Sequence, residues 1–213
     1  MAFFGTIGVS EQSPVLRSQR LYMRAPVIGD YPSWSALRAL SRDFLTPWEP
    51  SWPEDDLTRS AFRRRLRRYL HEQRSDRSYT FFVFKAAGDI LLGGVTLSSI
   101  RRGVTQSCSL GYWIGQPHAR NGYMSEAVSV IVPFIFDGLR LHRCEAACLP
   151  QNQASIGLLQ KAGFTQEGYA RGYLKIAGQW QDHVLFARLA EDAAAATLSN
   201  AALPRNGVVQ PLK

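Results

Sequence analysis

The hydrophobic period of the chain changes near residue 79, and that change restricts the fold more than any other feature. Before it, "GDYPSWSALRALS" and "DLTRSAFRRRLRRYLHEQ" repeat apolar residues at helical spacing. In the second of these, Phe62, Leu66, Tyr69 and Leu70 form the apolar stripe, and most of the arginines lie off it. After it, "YTFFVFKA" and "ILLGGVTLSSI" read as strands joined by the hairpin signal Ala87-Gly88-Asp89. "QSCSLGYWIG" follows as a third strand beyond the turn "RRGV". A chain that must bury helical stripes and strand faces together folds as layers of helix on sheet.

The rest of the pattern fixes an order. "RLYMRAP" reads as a first strand, and Asp30 stands near the start of the first helix. "DFLTPWEPSWPEDD" is a Pro- and Trp-rich connector between the two early helices. The helical period returns in "YMSEAVSVIVPFIFDGL", where Pro133 is expected to kink or shorten the helix. "HRCEAACLP" is a strand, and "NQASIGLLQKAG" is a short helix started by Asn152 and stopped by Gly163. "FTQEGYARGYLKI" and "QWQDHVLFARL" form a closing hairpin around Ala177-Gly178. The expected fold class is therefore α+β, a mixed α/β layer rather than a regular βαβ array. With 213 residues, 46% of them hydrophobic, one domain with a full core is expected. Its limits are placed at residues 21–190, after an N-terminal extension over 1–20 and before a flexible tail over 191–213.

Composition narrows the function classes. The net charge of +8 points to anionic partners such as nucleic acid assemblies, acidic peptides or phosphorylated cofactors, and it weighs against polycationic substrates. Ordinary solubility explains the same number. No apolar run is long enough to cross a bilayer, and the first residues lack the layout of a signal peptide, so a cytoplasmic location is expected. Cys108, Cys144 and Cys148 are odd in number, and nothing at zinc-ligand spacing accompanies them, so free thiols and no metal are expected. Cys144 and Cys148 fall in one strand, roughly 13 Å apart, too far to pair.

The stretch "HARNGYMSEAV" carries the first chemical signal. The amides at a helix start are unpaired and partly positive, and a loop entering such a start can hold phosphate through main chain alone. Gly122 lets the backbone approach closely. One glycine is weak evidence, and simple capping by first-turn residues Ser125 and Glu126 explains the loop equally well.

Three segments shift that balance. "GYWIGQPHARNGYMSEAV" resembles the acetyl-CoA strand and pyrophosphate loop of the GCN5-related N-acetyltransferase (GNAT) superfamily. "LHRCEAACLPQNQASIGLLQKAGF" resembles the strand and helix that follow it there. "EGYARGYLKIAGQWQDHVLFARL", with "LTPWEPSWPEDD" upstream, resembles the RimJ-type ribosomal-protein-alanine N-acetyltransferases. The resemblance spans about residues 21–189. It implies a GNAT fold, a splayed central mixed sheet of about seven strands flanked by helices. It implies acetyl-CoA as co-substrate, with the strand at Tyr112, Trp113 and Ile114 pairing with the pantetheine arm. Arg120, Asn121, Gly122, Tyr123, Met124 and Ser125 would hold the pyrophosphate. The superfamily pattern Q/R-x-x-G-x-G/A, aligned on Gly122, meets Ala119 and Met124 at its ends, which moves the expected contacts onto the backbone.

The resemblance also assigns roles in the chemistry. The tyrosine that many relatives carry for the leaving thiolate is replaced by Leu159, so Ser155, one helical turn earlier, is implied as the proton donor. Asn152, at the helix start, is implied to face the cofactor while capping the helix. Ser109 stands where some relatives have glutamate, which leaves Glu145 as the candidate base or, equally, a member of an ion pair with Arg143 or Arg171. A strong base is not demanded, because an α-amino group titrates at about 7.7–8.0 against about 10.4 for lysine. Trp48, Tyr173, Asp182 and His183 are the candidate acceptor-binding residues, with Asp182 as an anchor for the ammonium. A covalent route through Cys144 or Cys148 lacks an activating histidine.

The expected function is acetylation of the N-terminal alanine of a ribosomal protein of the S5 type by direct attack in a ternary complex. Two other readings stay open. One is a small-amine or antibiotic acetyltransferase with a closed acidic acceptor pocket. The other is a weakly catalytic ribosome-assembly factor whose basic helix, residues 57–74, contacts ribosomal RNA. A solvated helix face explains the same arginines. Monomer and homodimer are both compatible with the sequence.

Overall fold

The computed structural model describes residues 14–192. Eight strands form one sheet. They are β1 (Leu16–Arg17), β2 (Leu21–Arg24), β3 (Tyr79–Lys85), β4 (Ile90–Arg101), β5 (Ser107–Ile114), β6 (Arg143–Cys148), β7 (Thr165–Ile176) and β8 (Gln179–Leu189). Their spatial order is β1-β2-β3-β4-β5-β6-β8-β7. Every neighbouring pair is antiparallel except β5 with β6. The eighth strand, beyond the seven expected, is β1: Leu16 and Arg17 pair with Met23 and Tyr22. Those two residues belong to the stretch expected to precede the domain, and residues 193–213 of the expected tail lie outside the described residues.

The continuous apolar run in β3 is explained by its two buried faces. Phe81 and Val83 join one core cluster with Leu92, Val95 and Leu97 of β4. Phe82 and Phe84 join a second cluster with Leu91. The first is covered by α4 (Tyr123–Pro133) and α5 (Gln153–Lys161), through Ala127, Val128, Ile131 and Leu159. The second is covered by α1 (Tyr31–Leu40), through Trp34 and Leu37, and by α3 (Arg59–Arg74), through Phe62. A short α2 (Arg42–Leu45) leads into the connector.

Local chemistry sets the element ends. Thr58 caps α3, its hydroxyl accepting from the Ala61 N–H at 3.2 Å. Gly163, at φ +77°, ends α5, and the Phe164 N–H reaches back to the Leu159 carbonyl at 3.0 Å. Pro133 is the last α-helical residue of α4, and the chain widens there into a π turn over Phe134–Gly138. A proline has no N–H to continue the ladder and its ring crowds the preceding turn, so the helix is shortened as expected. Ala177 and Gly178 both have positive φ, +47° and +82°, and close the β7–β8 hairpin as a two-residue turn.

Candidate active site

β5 and β6 share three rungs: Ser107 with Arg143, Cys108 with Cys144, and Ser109 with Glu145. Then they part. β5 stays paired with β4 as far as Ile114 opposite Gly93, and β6 stays paired with β8 as far as Cys148 opposite Val184. Residues 110–114 therefore present one strand edge without a ladder partner among the described residues. An extended amide-bearing arm can add to such an edge as a strand would. Alternation sends Tyr112 and Ile114 toward α4 and α5, while Trp113 packs on the opposite face, in the cluster covered by α1. Gly94 makes the room: a Cβ there would lie 2.6 Å from the Trp113 indole nitrogen.

The loop after β5 leads to the start of α4. A helical turn over Gln116–His118 is followed by Arg120 at φ +60° and Gly122 at φ +74°, the helix N-cap. No side chain caps α4. Its first intrahelical bond is from the Glu126 N–H to the Gly122 carbonyl, which leaves the amides of residues 123–125 for another acceptor. The left-handed residues fold the loop tightly over that start, and the Asn121 side chain donates to the Ala119 carbonyl at 3.0 Å. Arg120 is exposed, Tyr123 half-buried, and Met124 buried in the core below. These residues fit a pyrophosphate: amides without partners face a loop with no acidic side chain before Glu126.

Glu126 itself is tied down by a segment the sequence reading passed over. The Ser18 hydroxyl donates to its Oε1 at 2.7 Å, the Arg20 N–H to Oε1 at 3.1 Å, and the Arg20 guanidinium to Oε2 at 2.6 Å. Burial pushes this carboxyl up, but the bonds from Ser18 and Arg20 outweigh it and hold it below the ordinary value. The signal that could have found the pair was weak: one Arg before the first strand and one Glu in the first turn of a distant helix.

At the far end of the opening, Ser155 sits on the first turn of α5. Asn152 caps that helix, its Oδ1 accepting from the Ser155 N–H at 3.1 Å. The Ser155 hydroxyl lies 2.7 Å from the Tyr112 hydroxyl. Burial, the largest cause, pushes Tyr112 up to about 12, with the bond to Ser155 pulling the other way. Tyr112 is therefore a neutral phenol at cellular pH. The Cys148 thiol is also pushed up by burial, opposed by a hydrogen bond with Ser155. Cys144 is held well above its ordinary value by its bond with Cys108 and by burial. Thiols held protonated are poor nucleophiles, so the geometry does not favour an acetyl-cysteine route. Leu159, where many relatives have tyrosine, is core, 1% exposed.

The other candidates fall into two groups. Glu145 stands on the last rung before the strands part, its Oε2 accepting from Arg101 at 3.0 Å and its Oε1 from Arg143 at 2.9 Å. Arg143 also bridges to Glu167. Trp48, Tyr173, Asp182 and His183 lie on the connector and the closing hairpin, which meet where the Ala177 N–H donates to the Glu49 carbonyl at 3.0 Å. Trp48 and Tyr173 are exposed. His183 is buried, its ring edge-on to Tyr173 at 5.7 Å. Asp182 accepts from the Tyr169 hydroxyl and from the Gly172 N–H, both at 2.7 Å. Beside them, Arg38 pairs through both terminal nitrogens with Glu49 at 2.7 Å and stacks between Trp52 and Trp113, 4.0 and 5.0 Å from their rings. A cleft of about 710 Å³ between connector and α3 is lined by Arg38, Trp52, Asp56 and Arg65, but by no residue of β5, β6, α4 or α5. Among the described residues no cluster fits a metal ion, and no helix is long and apolar enough to cross a membrane.

Residues 20–165 match the Acetyltransferase (GNAT) domain family. The chain is 34% identical over 179 residues to the [ribosomal protein uS5]-alanine N-acetyltransferase of Escherichia coli, covering 83% of this chain and 91% of that one. The solved ribosomal-protein-S5-alanine acetyltransferase from Vibrio fischeri superposes with a TM-score of 0.78 at 27% identity, covering 84% of this chain and 98% of that one. Mycobacterium smegmatis RimJ, solved in complex with CoA-disulfide, superposes at 0.77 with 26% identity, over 87% of this chain and 94% of that one. With its splayed sheet, its uncapped helix start and these relatives, the chain belongs to the GNAT family of acetyltransferases and groups there with the RimJ type.

Proposed function

We propose that this protein acetylates the N-terminal alanine of a ribosomal protein, of the S5 type, in a direct transfer from acetyl-CoA. The observation that carries the reading is the continuity of one opening. It runs from the Ser155–Tyr112 hydroxyl pair, along the unpaired edge of β5, to the free amides of α4. The Escherichia coli and Vibrio fischeri relatives are S5-alanine acetyltransferases by name, which supports the acceptor class.

Acetyl-CoA supplies an activated thioester whose sulfur leaves as a thiolate. The backbone of residues 110–114, with Tyr112, Trp113 and Ile114, aligns the pantetheine arm as an added strand. Residues 120–125 hold the pyrophosphate. Ser155, its rotamer fixed by Tyr112 and its amide by Asn152, donates a hydrogen bond to the departing sulfur, and the thiolate takes its proton from solvent. The α-amine is substantially neutral near pH 8. Both Glu145 oxygens already accept from arginines, which favours release of the amine proton to solvent over its capture there. Trp48, Tyr173, Asp182 and His183 wall the acceptor side. The reaction belongs in the cytoplasm, where ribosomal proteins are made.

Peptides test the acceptor. Acetylation of an Ala-first peptide should exceed that of a Ser-first peptide, and an N-blocked lysine peptide should be inert. Activity confined to the lysine peptide would overturn the reading.

A second reading, contact with ribosomal RNA, rests on how α3 sorts its arginines. Arg64 and Arg65 are paired with Asp55 and Asp56, and Arg68 lies 3.8 Å from Glu72. Arg59, Arg63, Arg67 and Arg74 are exposed without an acidic partner among the described residues. The salt dependence of RNA binding tests it.

A further inference from the structure

Glu126 poses a problem for a phosphate site. It lies in the first turn of α4, and its own N–H closes the first bond of the helix onto Gly122. A carboxylate so placed stabilises an empty helix start, and for the same reason it repels a phosphate approaching the amides. Ala119 and Met124, at the ends of the loop, offer no polar side chain to offset it.

We propose that Arg20, seated by Ser18, is a positioning residue for the CoA pyrophosphate: it neutralises Glu126 and pins the loop, so that the start of α4 stays receptive to a dianion. The proposal rests on the assignment of residues 120–125 to the pyrophosphate. Arg20 lies some hundred residues upstream of the loop, yet it reaches Asn121 and Tyr123 within it and Glu126 just beyond it. Its guanidinium binds Glu126 Oε2 at 2.6 Å and donates to the Asn121 carbonyl at 3.4 Å. It covers the Tyr123 ring, 4.9 Å from the centroid. Its terminal nitrogen lies 3.6 Å from where a Cβ on Gly122 would stand. The Ser18 hydroxyl and the Arg20 N–H occupy Oε1 and the guanidinium Oε2, so both carboxylate oxygens are engaged by donors on one strap.

Exposure argues that the pair serves the ligand more than the fold. The Arg20 side chain is 49% exposed, and an ion pair that open contributes little to stability because water screens it. Its effect on a multiply charged ligand at the same helix end is direct, because the charges are adjacent and share the dipole's field.

The test is calorimetric binding of CoA and of pantetheine, which lacks the pyrophosphate, to the intact protein. Arg20→Ala should lower the preference for CoA over pantetheine by about tenfold. Arg20→Lys should recover most of that preference, and so should the double variant Arg20→Ala/Glu126→Gln, which removes the uncompensated carboxylate. An unchanged preference in Arg20→Ala would overturn the proposal, as would equal weakening of both ligands, the mark of a merely structural role. A double variant no better than Arg20→Ala would refute the electrostatic account. Gly122→Glu separates the two levels. If it leaves CoA binding intact, the loop assignment itself is wrong. If it abolishes CoA binding while Arg20→Ala keeps its preference, only the role of Arg20 falls.

Discussion

At the scale of the residue, Ser155 illustrates how one position can be legible while its partner is not. Its place one turn before Leu159 was readable from helical spacing, and so was the cap at Asn152, which the structure shows directly. The Tyr112 hydroxyl beside it was not readable, because the two residues are 43 positions apart and meet only where β5 and α5 face the same opening. The pair makes a specific expectation. Ser155→Ala should lower kcat by about 10- to 100-fold with a smaller change in the KM for acetyl-CoA. Tyr112→Phe should lower it less, since it frees the Ser155 rotamer but leaves the donor. Steady-state kinetics checks both, and an unchanged kcat in Ser155→Ala would remove the donor role. The pH profile follows from the same groups. The rate should rise as the acceptor amine deprotonates near pH 8, with no falling limb below about pH 11. Tyr112, pushed up to about 12, stays protonated throughout that range.

At the scale of the element, boundaries followed local chemistry. Gly163 and Pro133 each act within a turn of themselves, so their effects on α5 and α4 were visible in the sequence, whereas the Thr58 cap of α3 falls inside the stretch 57–74 expected to be helical. What local chemistry left open was the form that the relief takes at Pro133, a π turn, because that depends on the Phe134 and Phe136 rings finding places in the core. The β7–β8 turn makes a prediction at this scale. Ala177 sits at φ +47°, a conformation that costs a residue with a Cβ roughly 1 kcal/mol. Ala177→Gly should therefore be close to neutral or stabilising by a few tenths of a kcal/mol, while Ala177→Val should destabilise by more than 1 kcal/mol. Urea unfolding of the two variants checks this, and equal effects would mean the turn is not under strain.

At the scale of the whole molecule, the charge of +8 acquires a distribution. On α3 the arginines facing the connector are neutralised by Asp55 and Asp56, and those facing outward are not. If that stripe contacts RNA, the logarithm of affinity should fall linearly with the logarithm of salt concentration. Replacing Arg63, Arg67 and Arg74 by glutamine should flatten the slope by about two to three units, without touching CoA binding. A slope unaltered in the triple variant would assign the stripe to simple solvation.

The sequence by itself determined the alternation of helix and strand, the mixed layered fold, the helix caps, the hairpin turns and the glycine at the head of α4. Each of these is set within a few residues, by hydrophobic period or by the φ that a residue permits. The resemblance implied a splayed sheet, but tertiary packing alone decided that β5 and β6 part after Ser109, that Tyr112 meets Ser155, and that Arg20 reaches Glu126. The parting arises because β5 is held by β4 and β6 by β8, and the twist of the two halves carries them away from one another. A single strand's pattern states which face is buried. It does not state which neighbour it will lose, and the opening that the chemistry needs is made by that loss.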